Sequence, residues 1–350
     1  MNNIHLLIVV CQLAFEFSLV NAQGCSQTGW FGHKCQYQCH CENDKCNSST
    51  GQCTENTKCV KGWFGLACQY QDLTSVPSAT ITSYPLQTSN TWITDGDDST
   101  CNQDNSLNSV VVAWNITYPF SWLRLTVKDN EYPGNFKVSF REGVNDSKYI
   151  KFQNHRIFVI NANTVDISCQ MTVDVMKIII SGHSVTSLCS VYISGGRNAA
   201  VKQTAVQSST YTDKRGIQAK ASNAVDGDTS SFFKKKTCTH TNIVDSSPKW
   251  NVTFNQAHAI NRIVLYNRFD SQDQCCPKRL VNFSLQTFNS SYISNFSFQD
   301  SGKDPMLIYT VIVPVSQRNL PINVIGIRAY SRERILSLCE VQAFEGKTKS

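Results

Sequence analysis

Oxygen-bearing side chains at two distant places in the chain could together bind a hard metal ion. Asp226 and Glu340 offer carboxylates, and Thr237 offers a hydroxyl. Calcium takes about six to eight oxygens from such groups and from main-chain carbonyls. Gly227 permits the turn that directs neighbouring carbonyl oxygens inward. Asn-x-x-Asp-Gly alone is a common turn sequence, so the calcium prediction depends on the remote pair Cys339-Glu340.

A second set of side chains suits a neutral ligand that is rich in hydroxyl groups. The set consists of His240, Arg268 and Arg279. The planar guanidinium group of arginine donates two hydrogen bonds to neighbouring hydroxyls and remains charged. A histidine ring adds one further donor or acceptor. A lone histidine or a loop arginine is ordinarily structural or solvated, so only the ordered set indicates a sugar site.

Cysteine content and the first residues predict a secreted protein. The chain has 350 residues and 16 cysteines. Residues 1–22 are interpreted as a signal peptide, because an apolar run too short to span a membrane precedes Val-Asn-Ala. Removal of Cys11 with this segment leaves 15 of the 16 cysteines for an oxidising compartment. No later segment is long and apolar enough for a transmembrane helix, so we expect an extracellular protein.

Glycosylation signals are consistent with this compartment. Asn-x-Ser/Thr sequons predict glycans on exposed surface, and seven occur, at Asn47, Asn115, Asn145, Asn251, Asn282, Asn289 and Asn295. The formal net charge of +6 is modest for this length. The dense basic run at Lys234–Lys236 is interpreted as a solvated loop rather than a nucleic-acid site, so no nucleic-acid partner is expected.

The segment 23–72 holds eight cysteines and few aliphatic residues. Burial alone cannot stabilise such a segment, so covalent cross-links must replace a core. Gly29-Trp30-Phe31-Gly32 recurs as Gly62-Trp63-Phe64-Gly65, which indicates two copies of one turn unit. Zinc binding by Cys39-x-Cys41 is the alternative, but secretion favours disulfides.

From residue 73 onward, short runs of Val, Ile, Leu, Phe and Tyr are separated by Ser, Asn, Asp and Gly. This texture predicts an all-β fold of antiparallel sandwiches. Three motifs recur in one order: Thr94-Asp95-Gly96-Asp97 with Val225-Asp226-Gly227-Asp228, Trp114-Asn115-Ile116-Thr117 with Trp250-Asn251-Val252-Thr253, and Ser187-Leu188-Cys189 with Ser337-Leu338-Cys339. We therefore expect two copies of one domain, at 73–195 and 196–346, before a tail at 347–350.

The second copy resembles the fucolectin or tachylectin-4 type of discoidin-like lectin domain. The resemblance spans about residues 198–346 and rests on six motifs: Ala205-Val206-Gln207-Ser208-Ser209-Thr210, Ala221-Ser222-Asn223-Ala224-Val225-Asp226-Gly227, Cys238-Thr239-His240-Thr241, Asn267-Arg268-Phe269-Asp270, Cys275-Cys276 followed by Arg279, and Leu338-Cys339-Glu340-Val341. It implies a jelly-roll-like β-sandwich and a calcium-dependent lectin for fucosylated or related glycans. Microbial and cell-surface glycans are the targets that such a lectin would have, and innate immunity is its context.

Residue roles follow from that resemblance. It implies calcium ligands at Asn223, Asp226, Asp228, Thr237, Cys339 and Glu340, several of them through main-chain oxygens. It implies a sugar site of His240, Arg268 and Arg279, with Asp270 orienting an arginine, Phe233 as an apolar wall and a Cys275–Cys276 disulfide as a platform. A Cys238–Cys339 disulfide accompanies these. Residues 271–274 are an insertion relative to the family pattern, in the loop that carries Arg279.

The rest of the chain departs from the lectin pattern. Residues 23–72 resemble a laminin-type or multiple-EGF-type module, which implies the pairs Cys25–Cys35, Cys39–Cys46, Cys41–Cys53 and Cys59–Cys68. In the first sandwich Ser190 replaces Glu340 and the arginine motif is missing, so we expect a degenerate copy. The repeat predicts a Cys101–Cys189 bond. Cys169 is then either a free thiol or bonded to a second chain, which leaves a homo-oligomer open.

Other function classes fit less well. The chain has no nucleophile elbow, no His-Glu-x-x-His and no phosphate-binding glycine loop, so we do not expect an enzyme. The alternative to a lectin is an adhesion or scavenger-receptor-like extracellular protein whose EGF-like part binds another protein. A third reading is docking on an acidic lipid surface through Phe232-Phe233-Lys234-Lys235.

Overall fold

The computed structural model describes residues 25–32, 35–55, 57–86, 89–128, 135–141, 149–150, 155–270, 276–302 and 304–345. The predicted signal peptide, the insertion at 271–274, Cys275 and the tail at 347–350 lie outside the described residues. No helix in the described ranges is long and apolar enough to cross a membrane.

The fold is all-β, as the alternating sequence texture predicts. The described part of the chain forms nineteen strands: β1 (Trp30–Phe31), β2 (Tyr37–Gln38), β3 (Trp63–Phe64), β4 (Tyr70–Asp72), β5 (Ala79–Tyr84), β6 (Ser109–Val127), β7 (Lys137–Arg141), β8 (Tyr149–Ile150), β9 (His155–Asn161), β10 (Thr164–Ser181), β11 (Leu188–Asn198), β12 (Thr204–Gln207), β13 (Lys249–His258), β14 (Ile260–Asn267), β15 (Phe283–Phe288), β16 (Ser294–Gln299), β17 (Ile308–Ile312), β18 (Ile322–Ala329) and β19 (Leu338–Glu345). The helical elements in these ranges are short 3-10 turns: Glu42–Asp44, Leu73–Ser75, Thr91–Ile93, His183–Ser187, Ala221–Val225, Phe233–Lys235, Pro277–Leu280 and Val315–Gln317.

The first sandwich is built around two long, curled strands. The early part of β6 pairs with β5, its later part pairs with β11, and β10 runs antiparallel along both parts. Alternate β6 residues such as Val110 and Val112 point into a core that also contains Phe120 and Phe140. The indole of Trp114 donates a 2.8 Å hydrogen bond to the carbonyl of Leu73, which satisfies its only donor in the core.

The second sandwich has two separate layers. Strands β17, β14 and β19 form one layer, and β12, β13, β18, β15 and β16 form the other in that order. Trp250, Phe283 and Tyr309 are fully buried between them. Burial of one such side chain contributes on the order of 1.5–3 kcal/mol to the stability of the fold. The Trp250 indole donates to the carbonyl of Ala221, 2.9 Å away, so the core strand β13 holds the loop that contains Asn223 and Asp226.

Strand β11 joins the two sandwiches. Its residues 188–193 pair with β6, whereas Arg197 and Asn198 pair with β19. The expected boundary at 195/196 therefore falls inside a strand rather than in a linker. The Arg318 guanidinium, which is buried, contacts Asp174 of the first sandwich at 2.5 Å. The two sandwiches are thus connected by backbone pairing and by an ion pair whose arginine is buried.

The disulfide-rich segment packs against both sandwiches, one turn unit on each. The first unit lies on the second sandwich, where the Lys202 ammonium is 3.2 Å from the centre of the Trp30 ring. The second unit lies on the first sandwich, where Phe64 packs on Trp122 and Tyr192 at ring distances of 4.9 and 5.1 Å. A segment too small for its own core thus gains buried surface from its neighbours.

The structure contains six of the seven expected disulfides: Cys25–Cys35, Cys39–Cys46, Cys41–Cys53, Cys59–Cys68, Cys101–Cys189 and Cys238–Cys339. Cys39 and Cys41 are both in disulfides, which removes the zinc alternative for that pair. The seventh bond, Cys275–Cys276, involves a residue outside the described ranges, and Cys276 is buried. Cys169 lies in β10, opposite His155 of β9.

Candidate functional site

A compact loop precedes the Cys238–Cys339 disulfide and presents the predicted cation ligands. The Asp226 carboxylate accepts from the main-chain N–H of Asp228 at 2.8 Å, and the Asp228 carboxylate accepts from that of Ser230 at 2.8 Å. Gly227 between them has a φ of 90°, a conformation that favours glycine. The two successive Asx turns curl the chain tightly and keep both carboxylates at one end of the sandwich.

Two further contacts close this loop on itself, and a disulfide then joins it to the strand that carries Glu340. The Asn223 carboxamide donates to the carbonyl of Cys238 at 3.2 Å, and the Thr237 hydroxyl donates to the carbonyl of Ser230 at 2.9 Å. The disulfide then joins Cys238 to β19, one residue before Glu340. The predicted ligand set is therefore held by one covalent bond and a hydrogen-bonded loop.

Glu340 is the most unusual side chain of this group. It is fully buried, no cationic side chain in the described part of the chain contacts its carboxylate, and its oxygens make no hydrogen bond of good geometry, although the main-chain N–H groups of Asp226 and Gly227 lie close enough to favour the charged form. Burial raises the pKa of Glu340 well above its ordinary value, and the negative charge of Asp226 adds to the shift. Partial burial likewise raises the pKa of Asp226 to about 6, with the charge of Asp228 acting in the same direction.

These residues fit a calcium ion. An unpaired buried carboxylate is costly, and a bound cation removes that cost. Within the described ranges, Cys41, Cys53 and Cys68 are the only three acidic, histidine or cysteine side chains whose ligand atoms all lie within 4.8 Å of one another. A cation at Glu340 would therefore need main-chain oxygens of the loop besides two carboxylates, which is usual for calcium.

His240 is the centre of the predicted sugar site. Its ring is buried, with Nδ1 2.5 Å from the carbonyl of Thr241 and Nε2 3.0 Å from Nη1 of Arg279. A carbonyl can only accept and a guanidinium can only donate, so Nδ1 carries the proton and Nε2 presents its lone pair. Burial lowers the pKa of His240 to about 4, and the charge of Arg279 lowers it further.

Arg268 lies beside the same ring, supported on two sides. Its guanidinium carbon is 4.0 Å from the centre of the Phe233 ring, and its Nε donates to Asp270 at 2.6 Å. Asp270 also accepts from the main-chain N–H of Phe233 at 3.0 Å. The Phe233 ring in turn lies 5.8 Å from that of His240. The structure therefore brings together five of the predicted sugar-site residues: His240, Arg268, Arg279, Asp270 and Phe233.

The loop between Arg268 and Arg279 is held at its base. The Asn267 side chain donates to the carbonyls of Pro277 and Met306 at 2.9 and 3.0 Å. Pro277 begins the 3-10 turn that contains Arg279, so this clamp fixes both arginines although the insertion lies between them. Cys276 precedes that turn, while the position of Cys275 lies outside the described residues.

Two residues of the cluster, Glu333 and Tyr211, were not predicted from the sequence. Glu333 accepts from Nε of Arg279 at 2.8 Å, and the Tyr211 ring lies 4.6 Å from that of His240. Tyr211 directly follows the first lectin-like motif, which could have signalled it. Glu333 lies in a loop of charged residues with no distinguishing pattern. The complete arrangement offers two guanidinium donors, one imidazole acceptor and two aromatic surfaces, a combination suited to a small polyhydroxylated ligand.

The corresponding loop of the first sandwich, at Asp95 to Asp97, has the same turns, but neighbouring side chains donate to both of its carboxylates. Asp95 accepts from the main-chain N–H of Asp97 at 2.8 Å, as Asp226 does from Asp228. However, Thr100 donates to Asp95, and Lys58 from the disulfide-rich segment contacts Asp97 at 2.9 Å. Ser190 is buried at the place of Glu340. This loop therefore lacks the uncompensated acidic charge that favours a cation in the second sandwich.

Comparison with known proteins covers part of the second sandwich. Residues 223–318 match the family described as a NedA-like, galactose-binding domain of the F5/F8 type C group. Fucolectin of the eel Anguilla anguilla is 34% identical over 83 residues, which is 24% of this chain and 49% of the eel protein. Fucolectin-4 of Anguilla japonica is 32% identical over 93 residues, 27% of this chain and 49% of that protein. The chain thus spans about half the length of the curated relatives it matches.

Solved structures with similar folds include sugar-binding modules. A fucose binding module of Streptococcus pneumoniae, SpX-3, has 25% identity and a TM-score of 0.36, covering 43% of this chain and 98% of that one. An f-lectin from the serum of the striped bass, Morone saxatilis, has 18% identity and a TM-score of 0.34, covering 78% of this chain and 97% of that one.

Proposed function

We propose that the protein is a secreted, calcium-supported lectin that binds fucosylated or related glycans through its second sandwich. One observation carries the proposal: the lone pair of His240 Nε2 and the guanidinium groups of Arg279 and Arg268 converge in a single cluster. The partial match to eel fucolectins supports the choice of sugar class.

The site would recognise a sugar by complementary hydrogen bonding. Nε2 of His240 accepts from Nη1 of Arg279 before the sugar binds. A hydroxyl of the sugar that donates to Nε2 replaces this bond, and its oxygen accepts from the released Nη1. Because the ring is neutral and its tautomer is fixed by Thr241, no proton has to move on binding. Asp270 and Glu333 hold the two guanidinium groups in place, so little side-chain entropy is lost when the sugar binds.

Calcium would have a structural role next to this site. When bound, it supplies positive charge to the two carboxylates that the fold otherwise forces together. Asp226 and Glu340 would hold it with main-chain oxygens of the loop. Asn223, Asp228, Thr237 and Cys339 complete the proposed ligand set. The loop of residues 223–237 leads directly to Cys238 and His240, so ordering it would keep the sugar-binding ring in position.

The remainder of the chain would present this site. We propose that residues 1–22 direct secretion, that 23–72 are an EGF-like module, and that 73–195 are a degenerate copy of the lectin sandwich. The satisfied carboxylates around Asp97 and the serine at position 190 support a spacer role for that copy. We propose a binding protein rather than an enzyme, because the relatives that the second sandwich matches are lectins.

A glycan array probed with the full chain, with calcium and with a chelator, tests the proposal. We expect calcium-dependent binding to fucosylated glycans that free L-fucose competes. A parallel arm measures binding to vesicles containing phosphatidylserine. Binding to the vesicles but to no glycan would replace the lectin proposal by lipid docking. Binding to neither would favour the adhesion reading, in which the EGF-like segment contacts a protein.

A further inference from the structure

A groove crosses the outer face of the five-stranded layer of the second sandwich. Its volume is about 610 Å³, within the range of small-ligand sites. Gly326 forms the floor, since a Cβ atom there would lie only 2.8 Å from Oδ1 of Asn251 and 3.5 Å from the Phe288 ring. Any larger residue at position 326 would therefore fill the groove.

The groove is lined mainly by neutral polar groups and aromatic rings, with Lys249 and Arg328 as its two charged residues. Strand pairing aligns four positions in one row across the layer. Asn251 lies opposite Gly326, Gly326 opposite Gln286, and Gln286 opposite Ser297. Tyr292 and Tyr330 stand at the rim and are 72% and 46% exposed. Amide and hydroxyl groups beside exposed aromatic rings suit a saccharide, which has polar hydroxyls and apolar ring faces.

Asn251 is also the acceptor position of a glycosylation sequon. Asn251 and Thr253 are two residues apart on β13 and therefore project from the same face, while Val252 is buried. The carboxamide of Asn251 makes no hydrogen bond with any described residue. At the neighbouring sequon, by contrast, Nδ2 of Asn295 donates to the carbonyl of Pro321 at 2.8 Å. The acceptor nitrogen in the groove is thus not engaged by the protein.

We infer that this groove is filled by the protein's own N-linked glycan, attached to Asn251. The first sugar residues lie over Gly326, contact Gln286 and Ser297, and cover the rim tyrosines. The inference rests on the secreted location in the proposed function, because glycosylation of sequons requires entry into the secretory pathway. It does not depend on fucose binding at His240.

The attached glycan occupies the groove in preference to a free glycan, because its attachment keeps it close to the groove. Tethering gives the attached sugar an effective concentration of about millimolar or more at the groove. A free glycan would have to displace it from a site that is open and shallow. The groove therefore binds the attached glycan, which stabilises the fold, and is not a second site for free ligands.

The test compares Thr253→Ala, which destroys the sequon, with Thr253→Ser, which preserves it. Both full-length variants and the wild type are secreted from eukaryotic cells and analysed by peptide mass mapping and thermal unfolding. We expect a glycan at Asn251 in the wild type and in Thr253→Ser. Thr253→Ala should melt about 2 °C or more below Thr253→Ser. Endoglycosidase should release the Asn251 glycan about tenfold more slowly from native than from denatured protein, the effect of one or two ordinary hydrogen bonds.

Three results would overturn the inference. One is a secreted protein with glycans at other sequons and an unmodified Asn251. A second is release of the Asn251 glycan from native protein as fast as from denatured protein, together with equal melting temperatures of Thr253→Ala and Thr253→Ser. The glycan would then extend into solvent. A third is binding of a free saccharide that survives loss of Arg268 and is abolished by Gln286→Ala. If the chain is not secreted, all sequons are unmodified, and the proposed location fails together with the inference.

Discussion

Glu340→Gln separates a cation ligand from an ordinary buried acid. The substitution keeps the volume of the side chain and removes its charge. In the calcium-free protein, burial raises the pKa of Glu340 and the charge of Asp226 raises it further, so the fold itself disfavours the negative charge of this carboxyl group. Because it has no cationic partner in the described residues, and the nearby main-chain N–H groups of Asp226 and Gly227 can also donate to an amide oxygen, replacing it by glutamine should change calcium-free stability by no more than about 1 kcal/mol.

Calcium should then reveal the difference. A ligand at one hundred times its dissociation constant stabilises the folded state by about 2.7 kcal/mol. For a domain of this size, each kcal/mol corresponds to about 2–4 °C in melting temperature. We therefore expect calcium to raise the melting temperature of the wild-type sandwich by about 5–10 °C and to have little effect on Glu340→Gln.

Glu345→Gln is the matched control, since this glutamate is buried five residues further along the same strand. Its carboxylate contacts Nδ1 of His258 at 2.6 Å and Nη2 of Arg197 at 3.3 Å. Removing one partner of such a buried pair costs about 3–5 kcal/mol. Glu345→Gln should therefore melt lower without calcium, yet keep the calcium-induced increase.

Scanning calorimetry of the three proteins, in calcium and in chelator, gives the comparison. The reasoning is wrong if Glu340→Gln retains the full calcium-induced increase. It is equally wrong if Glu340→Gln loses as much calcium-free stability as Glu345→Gln, because Glu340 would then have a structural partner.

Three further predictions concern the sugar site and the N-terminal segment. Asp270→Asn should weaken fucose binding about tenfold by calorimetric titration, because it loosens the guanidinium of Arg268, and should leave the calcium-induced melting shift unchanged. In saturating calcium, fucose affinity should be constant from about pH 8 to pH 5, since the lowered pKa of His240, about 4, keeps its ring neutral there; a fall centred near pH 6.5 would mean that the ring titrates with an ordinary pKa and would contradict the neutral acceptor assigned to Nε2. Phe64→Ala should cost about 3–5 kcal/mol and expose the disulfide-rich segment to limited proteolysis, and unchanged protection would mean that the Phe64–Trp122 contact is not what holds the segment.

The sequence predicts those features that local chemistry determines. Asp-Gly-Asp at both loops predicts Asx turns because a short acidic side chain bonds the main chain two residues on, and both loops have this geometry. Alternation of apolar and polar residues predicts the strands and their buried faces, because successive side chains of a strand point to opposite faces. The lectin resemblance implies the Cys238–Cys339 bond, the ordered repeat gives Cys101 and Cys189 the same places, and both disulfides are present.

Features that depend on distant partners could not be predicted in this way. The tautomer of His240 is set by Thr241 and Arg279 together, and no sequence pattern joins them. The ammonium of Lys58 reaches Asp97 only because the disulfide-rich segment packs on the first sandwich. The expected boundary at 195/196 lies inside the strand Leu188–Asn198, because Arg197 and Asn198 pair with the edge of β19, a partner distant in sequence.

Titration of monomeric L-fucose into the full chain and into Arg268→Ala tests the central claim most directly. We expect one site per chain in the wild type, because the sequence of the first sandwich lacks the arginine motif. The account predicts a loss of about tenfold to a hundredfold in Arg268→Ala, the usual effect of removing a charged hydrogen-bond donor. Arg215→Ala, which removes an exposed arginine of the same sandwich, should bind like the wild type. Equal affinity of Arg268→Ala and the wild type, or two equivalent sites per chain, would contradict the account.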